Sequence, residues 1–287
     1  MHTIDPPDPN TRVPSFKPPP GACDTHCHVF GPGDVFPFAA TRKYTPPDAP
    51  KENLRKLHAV LGIERAVIVQ ASCHGTDNRA MLDAIASSSG RYRGVCNASD
   101  EFSSDYFQEL HDGGIRGVRF NFVKHLGGAP DLDKMRRIIE RVSDFPWHVE
   151  LHFDAKDLLE FESVIDAIPL PVVIDHMGRV PVADGVQQAP FQSLLDKLRD
   201  SDSLWVKVSG SERISAKGPP FTDAAPFGAA CIEAAPDRCI WGTDWPHPNV
   251  RIMPNDADLV DIIPKMIPDP DLQQKVLVDN PAKLFGF

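Results

Sequence analysis

Four short stretches of the chain carry the side chains that bind metals and move protons. The first is Asp24-Thr25-His26-Cys27-His28. Residues two apart on a strand share a face, so His26 and His28 can point the same way and meet one ion. The others are His148-Val149-Glu150-Leu151-His152, Ile174-Asp175-His176-Met177-Gly178 and Trp241-Gly242-Thr243-Asp244-Trp245-Pro246-His247. Alone, each has an ordinary explanation. An H-x-H pair recurs by accident, a single buried histidine is usually a satisfied core residue, and an aspartate before a proline often shapes a turn. Together they set His26, His28, His152, His176 and Asp244 at the ends of separate apolar runs. That mixture of imidazole and carboxylate suits a borderline-soft divalent ion such as zinc.

Groups so far apart in sequence meet only if the intervening elements bring them together. Apolar, β-branched runs at about 22–29, 65–71, 94–98, 117–122, 148–153, 172–175, 204–208 and 239–242 read as strands. Helical periodicity falls between them at 53–61, 78–88, 105–112, 132–142, 158–168, 191–199 and 223–235, with a last helical stretch around 272–277. Eight strands alternating with helices predict an α/β fold, a distorted (β/α)8 TIM barrel. An open dinucleotide-binding sheet would need a glycine-rich turn after its first strand, and none is present. Reacting groups on such a barrel collect at the C-terminal ends of its strands, where all four stretches fall. Residues 1–20, ending in Lys17-Pro18-Pro19-Pro20-Gly21, are too rich in proline for a ladder and predict an extended arm laid on a barrel of residues 21–287. No internal repeat is evident.

Composition narrows the partners. With 41% apolar and 24% charged residues the chain can bury a large core. Its net charge of -10 is spread along the sequence, which argues against nucleic acid and anionic membrane. A small anion remains compatible, because a few converging arginines outweigh a distant, screened field. The six cysteines form no C-x-x-C pair and read as small apolar residues. The first residues lack the basic and apolar regions of a signal peptide, no run is long enough to span a bilayer, and the expected location is cytoplasmic.

The stretches around His26, His176 and Asp244, the last extended through Pro248, resemble the amidohydrolase superfamily in its amidohydrolase-2 branch. Val69-Gln70-Ala71-Ser72-Cys73-His74-Gly75-Thr76-Asp77, Gly117-Val118-Arg119-Phe120-Asn121-Phe122 and Gly218-Pro219-Pro220 are similar to the 2-pyrone-4,6-dicarboxylate lactonases of that branch. The likeness runs from about Pro18 to the C-terminus. It implies that Asp244 is the general base for water and that His26, His28 and His176 polarise or orient the lactone carbonyl. It also implies that Arg119, Arg213, Tyr44, Ser72 and His74 hold the anionic groups of the substrate, with Lys124 and Arg179 as additions. Two positions depart from the lactonase pattern. His152 stands in place of a tyrosine and His125 in place of an arginine. The lactonases are regarded as metal-free, whereas the related 4-sulfomuconolactone hydrolases are zinc-dependent and take a lactone with a sulfonate and a carboxylate. The fifth-strand histidine therefore predicts one divalent ion, zinc, on His26, His28, His152 and Asp244.

The expected function is hydrolysis of a doubly anionic lactone from aromatic-compound catabolism. The expected partner is that small anion, and a homo-oligomer is left open. Non-oxidative decarboxylation of an aromatic or muconate acid would use the same histidines and aspartate, and a barrel that only binds is a third reading. Arg119 could equally be a structural ion pair, Arg213 a solvated loop residue, and His247 a turn residue supporting the site.

Overall fold

The structure, a computed structural model, describes residues 2–124 and 131–287. Eight parallel strands follow one another around a single sheet: β1 (Cys23–Cys27), β2 (Arg65–Val69), β3 (Tyr92–Cys96), β4 (Ile115–Asn121), β5 (His148–His152), β6 (Val172–Ile174), β7 (Leu204–Lys207) and β8 (Cys239–Ile240). Each pairs in register with the next in sequence. Main helices α1 (Lys51–Leu61), α2 (Arg79–Ala86), α3 (Ser104–Asp112), α4 (Leu132–Val142), α5 (Leu158–Asp166), α6 (Ala189–Asp200) and α7 (Ala225–Ala234) follow the first seven strands in turn. This is the expected (β/α)8 barrel. Strands 6 and 8 are shorter than their apolar runs, because the chain turns out of the sheet at Asp175 and after Ile240, where the polar segments begin. The last expected helix is instead a chain of short helices, Pro270–Gln274, a wide turn over Lys275–Asp279, and Asn280–Phe285.

The helices form where the sequence offers one apolar stripe and a start signal. In α4, Met135, Ile138, Ile139 and Val142 are buried, the spacing of one helical face, while Arg136, Arg137 and Glu140 face out. Asp131 caps its first turn, accepting hydrogen bonds from the amides of Asp133 and Lys134 at 3.0 Å each. Ser103 caps α3 in the same way through the Tyr106 amide. The strands are packed on both sides, as a parallel barrel requires, and β1 and β5 are buried at every residue.

Closure falls between β1 and the segment after β8. The amides of Thr25 and His28 donate to the carbonyls of Trp241 (2.9 Å) and Trp245 (2.7 Å), and that of Asp244 donates to His26 O (2.6 Å). Asp24 clamps the seam, accepting from Thr243 N (2.9 Å), Thr243 Oγ1 (2.5 Å), His26 N (3.1 Å) and His58 Nε2 (3.2 Å). Gly242 is needed here, since a Cβ would lie 2.5 Å from His26 N. β1 is not a regular strand: Asp24 pairs with Ala66 but Cys27 with Ile68, so one extra residue bulges between Asp24 and Cys27. All six cysteines are free and buried. No helix among the described residues is long and apolar enough to cross a membrane.

Candidate active site

A cavity of about 630 Å³ opens at the C-terminal ends of the strands. At its floor the bulged β1 presents His26 and His28 with rings 5.1 Å apart and nearly perpendicular. The edge-on arrangement lets both reach one carboxylate: His28 Nε2 lies 3.1 Å and His26 Nε2 3.6 Å from Asp244 Oδ1. His176 approaches the other oxygen, Nε2 to Oδ2 3.8 Å. Both Asp244 (φ 66°) and His176 (φ 51°) adopt the left-handed backbone that non-glycine residues avoid. Such strain persists where surrounding contacts over-determine it, and it collects at functional sites. Gly210 makes room for the second, because a Cβ there would lie 2.7 Å from that of His176.

The protonation chemistry follows from the partners. The Val69 carbonyl can only accept, so His28 Nδ1, 2.8 Å away, carries a proton and donates it. In the neutral ring Nε2 then offers a lone pair toward Asp244 Oδ1, itself an acceptor. A proton or a metal ion has to lie between them. Burial, reinforced by Lys207, drives the His26 pKa well below its ordinary value, and burial with Arg119 does the same to His152. Burial takes His176 down to about 3, against the opposing pull of Asp244 and Asp175. Burial alone would raise the Asp244 carboxyl, but Arg213 and then His176 outweigh it and hold it well below the carboxylate range. At neutral pH the site thus sets an ionised Asp244 among neutral His26, His152 and His176.

His26, His176 and Asp244 each offer a ligand atom, all within 4.8 Å of one another, and His26 Nε2 is buried without a hydrogen-bond partner. Such donors fit a divalent ion. Of the four expected ligands, His26, His28 and Asp244 converge. His152 stands farther off, its ring 5.6 Å from that of His176 and its Nε2 also unpartnered. The three-ligand group takes His176 where the sequence suggested His152. A second set, His26, Glu150 and Asp175, is already bridged by an ammonium: Lys207 Nζ lies 3.0 Å from His26 Nδ1, 2.5 Å from Glu150 Oε2 and 3.5 Å from Asp175 Oδ1.

The expected anion-binding residues divide. Arg119, Arg213, Tyr44, Ser72 and Lys124 line the cavity. Arg119 is also bound to Asp175 Oδ2 (Nε 2.9 Å, Nη2 2.8 Å) and faces Glu150 at 3.4 Å. Arg213 donates through Nε to Asp244 Oδ2 and through Nη1 to the Pro248 carbonyl at 3.1 Å. Lys124, exposed at the mouth, sits 3.6 Å from Asp157 and 3.5 Å from Glu160. His74 and Arg179 are absent from the cavity wall. His74 accepts from the Gly31 amide at 3.2 Å beside Phe38, and Arg179 donates to Asp154 at 3.0 Å. His125 lies outside the described residues.

Sequence reasoning assigned no role to Glu150, Asp175 or Lys207, each with no exposed surface. Glu150 had a signal, since it shares the inward face of β5 with His148 and His152. Lys207 ends an apolar strand, and only its position says that it is buried. His2, Lys43, Asn97 and Asn249 also line the cavity without having been singled out. His247 is buried as well, 3.0 Å from Asp256 and 3.9 Å from Glu212. Burial works against its charge, yet those carboxylates prevail and raise its pKa to about 10.

Two stability measurements test this electrostatic reading. Lys207→Met leaves the buried Glu150 and Asp175 with Arg119 as their remaining shared cation and is expected to cost about 3–5 kcal/mol in urea unfolding. His247 has a folded value above the unfolded one of about 6.5, so its contribution is complete below that pH and lost as the pH rises through about 10. His247→Gln should therefore flatten the decline in stability between those limits.

The match to known proteins follows this geometry. Residues 23–287 match the model of a family described as amidohydrolase. A 2-pyrone-4,6-dicarboxylate hydrolase of Comamonas testosteroni is 49% identical, across 96% of this chain and 93% of that protein. A 4-sulfomuconolactone hydrolase of Rhizobium radiobacter is 44% identical, across 95% and 92%. A crystal structure of a probable 2-pyrone-4,6-dicarboxylic acid hydrolase of Acinetobacter baumannii with citric acid bound superposes with a TM-score of 0.81 at 29% identity, across 93% of this chain and 100% of that one. With histidines and an aspartate gathered at the strand ends and a family match over nearly its whole length, this chain belongs to the amidohydrolase family.

Proposed function

We propose that this protein hydrolyses the ring ester of a doubly anionic lactone of the 2-pyrone-4,6-dicarboxylate or 4-sulfomuconolactone type. The observation that carries the reading is Asp244: an ionised carboxylate, buried, strained, touched by three imidazoles and capped by Arg213. The relatives at 49% and 44% identity, named for those two substrates, supply the substrate class. The cavity of about 630 Å³ is of the size that encloses a small ligand.

In this reading the lactone lies with its carbonyl over the histidines and its anionic groups toward Arg119 and Arg213, whose planar guanidinium groups suit carboxylate or sulfonate. Tyr44 and Ser72 line the same wall. Asp244 takes a proton as water adds to the carbonyl. His176, set by a 2.9 Å contact of Nδ1 with Ser209 Oγ, turns Nε2 to the oxygen that becomes negative. When the ring C–O bond breaks, Asp244 returns the proton to the departing oxygen, and the product is the open-chain acid. Arg213 acts twice. Before substrate arrives it keeps Asp244 ionised. As its guanidinium turns toward the substrate's anionic group, Asp244 becomes the stronger base. A divalent ion, zinc, would be held by His26, His28, Asp244 and one of His176 or His152; when bound it supplies Lewis acidity toward the carbonyl and lowers the pKa of water. A soluble, cytoplasmic location and a barrel domain of residues 21–287 preceded by the arm complete the proposal.

Asp244→Asn should lower kcat on 2-pyrone-4,6-dicarboxylate by roughly 10²–10⁴-fold, followed as loss of pyrone absorbance. A variant within twofold (about the error of such assays) sinks the assignment. Atomic emission of protein purified without chelator should give one zinc per chain, and none defeats the metal part alone.

A further inference from the structure

Residues 2–20 add no strand to the barrel, yet the arm is fastened to it at both ends. At its base, Arg12 reaches Asp258 and Asp261 at 2.6 Å each. Asp261 Oδ1 accepts from the amides of Ser15 (2.7 Å) and Phe16 (2.9 Å), and Asn255 Nδ2 donates to Asp8 Oδ2 (2.8 Å) and the Asn10 carbonyl (3.1 Å). At its tip, His2–Thr3 pairs in parallel with Tyr44–Thr45, His2 opposite Tyr44, and the Ile4 amide donates to Thr45 O at 3.2 Å. Holding so many residues in one path costs about 1–2 kcal/mol each in backbone entropy, and exposed ion pairs return little. Of the tip, His2 and Thr3 are exposed and Ile4 is half-buried against the core.

The tip ends in the cavity wall. His2 Nε2 lies 3.0 Å from Asn249 Oδ1, its ring is 6.4 Å from that of Tyr44, and all three residues line the cavity. An amide oxygen only accepts, so Nε2 carries a proton; Nδ1 has no partner among the described residues and donates to an anion when the ring takes up a second proton. His2 thereby ties the segment after β1, which brings Tyr44, to the segment after β8, whose Pro248 carbonyl receives Arg213. Lys43 beside it is exposed and has no ion pair among the described residues, so this end of the cavity is cationic.

We propose that the N-terminal arm is part of the substrate site and that His2 is a specificity-determining residue, closing the outer wall against the carboxylate or sulfonate of the bound ring that lies farthest from Asp244. The substrate class rests on the lactone reading, while the placement of His2 does not. Its role is in binding rather than in the chemical step, and Asn249 serves it by holding the ring.

The test compares wild type, His2→Ala and Asn249→Ala in two assays. On 2-pyrone-4,6-dicarboxylate, His2→Ala should raise KM roughly tenfold, the loss of one hydrogen bond donated to the anion by the protonated ring, with kcat unchanged within about twofold. Asn249→Ala should move KM in the same direction by less. In calorimetric titration with citrate, a tricarboxylate that is not hydrolysed, the Kd should weaken in proportion. Both side chains are at the surface or the mouth, so the melting temperature should hold. Unchanged KM and Kd in His2→Ala overturn the proposal, as does a loss confined to kcat. A wild type that binds citrate in a His2-dependent way but opens no lactone defeats the proposed function and leaves the arm's role standing. A wild type that binds neither compound defeats both.

Discussion

A lysine ammonium with no exposed surface sets the terms for the rest of the barrel. Lys207 lies in the interior against Glu150, Asp175 and His26, and taking such a charge out of water is tolerated only when partners surround it. Arg119 bridges the same two carboxylates from the cavity side. Arg213 faces Asp244. Three cationic side chains thus meet three carboxylates over a few ångströms, each contributed by a different part of the sheet. No one of them can be removed without leaving an opposite charge stranded in a medium of low dielectric. The network fixes which way His26 faces, and through His26 the position of everything above it.

The seam between the first and last strands carries the second constraint. A barrel of eight parallel strands must close where its ends meet, and here closure and chemistry share the same residues. Asp244 donates its amide to the His26 carbonyl while its carboxylate collects the imidazoles. β1 bulges between Asp24 and Cys27, and His26 and His28 stand perpendicular to each other with both at the site. Asp24 and Gly242 hold the backbones close enough for this, the first by four hydrogen bonds and the second by having no side chain. The strained backbone at Asp244 is tolerable because the seam leaves no other path for the chain.

The fold could be read from the sequence because its signals are periodic: apolar runs and helical stripes repeat eight times, and each alternation reinforces the others. The residues that converge could be read too, since His26, His28, His176 and Asp244 follow strands and a barrel gathers strand ends. What could not be read was pairing inside the barrel. Arg119 and Arg213 look alike in sequence, yet one is tied to Asp175 and the other to Asp244, choices made by side chains that arrive from strands far apart in the chain. His74 and Arg179 are taken up by the Gly31 amide and by Asp154, partners that no spacing rule reports. The choice between His152 and His176 beside Asp244 depended on a left-handed stretch at residues 176–179. Only glycine advertises such a stretch in sequence, and here it occupies the third position alone.

The division of labour between strands and loops follows from these constraints. Groups tied into the charge network cannot be exchanged singly, so the proton transfer and carbonyl polarisation proposed for this site are bound to the strand ends. The cavity's outer wall carries no such obligation. Tyr44, Lys43, Lys124 and Asn249 line it without joining the network of buried charges. A change there alters which anion fits and leaves the interior balanced. That asymmetry explains how relatives named for a dicarboxylate and for a sulfonated lactone can both retain over 40% identity to this chain. In the proposed reading, substrates of this class are told apart at that loop-built wall. Discrimination there needs only modest differences in contact, since about 1.4 kcal/mol is a tenfold preference.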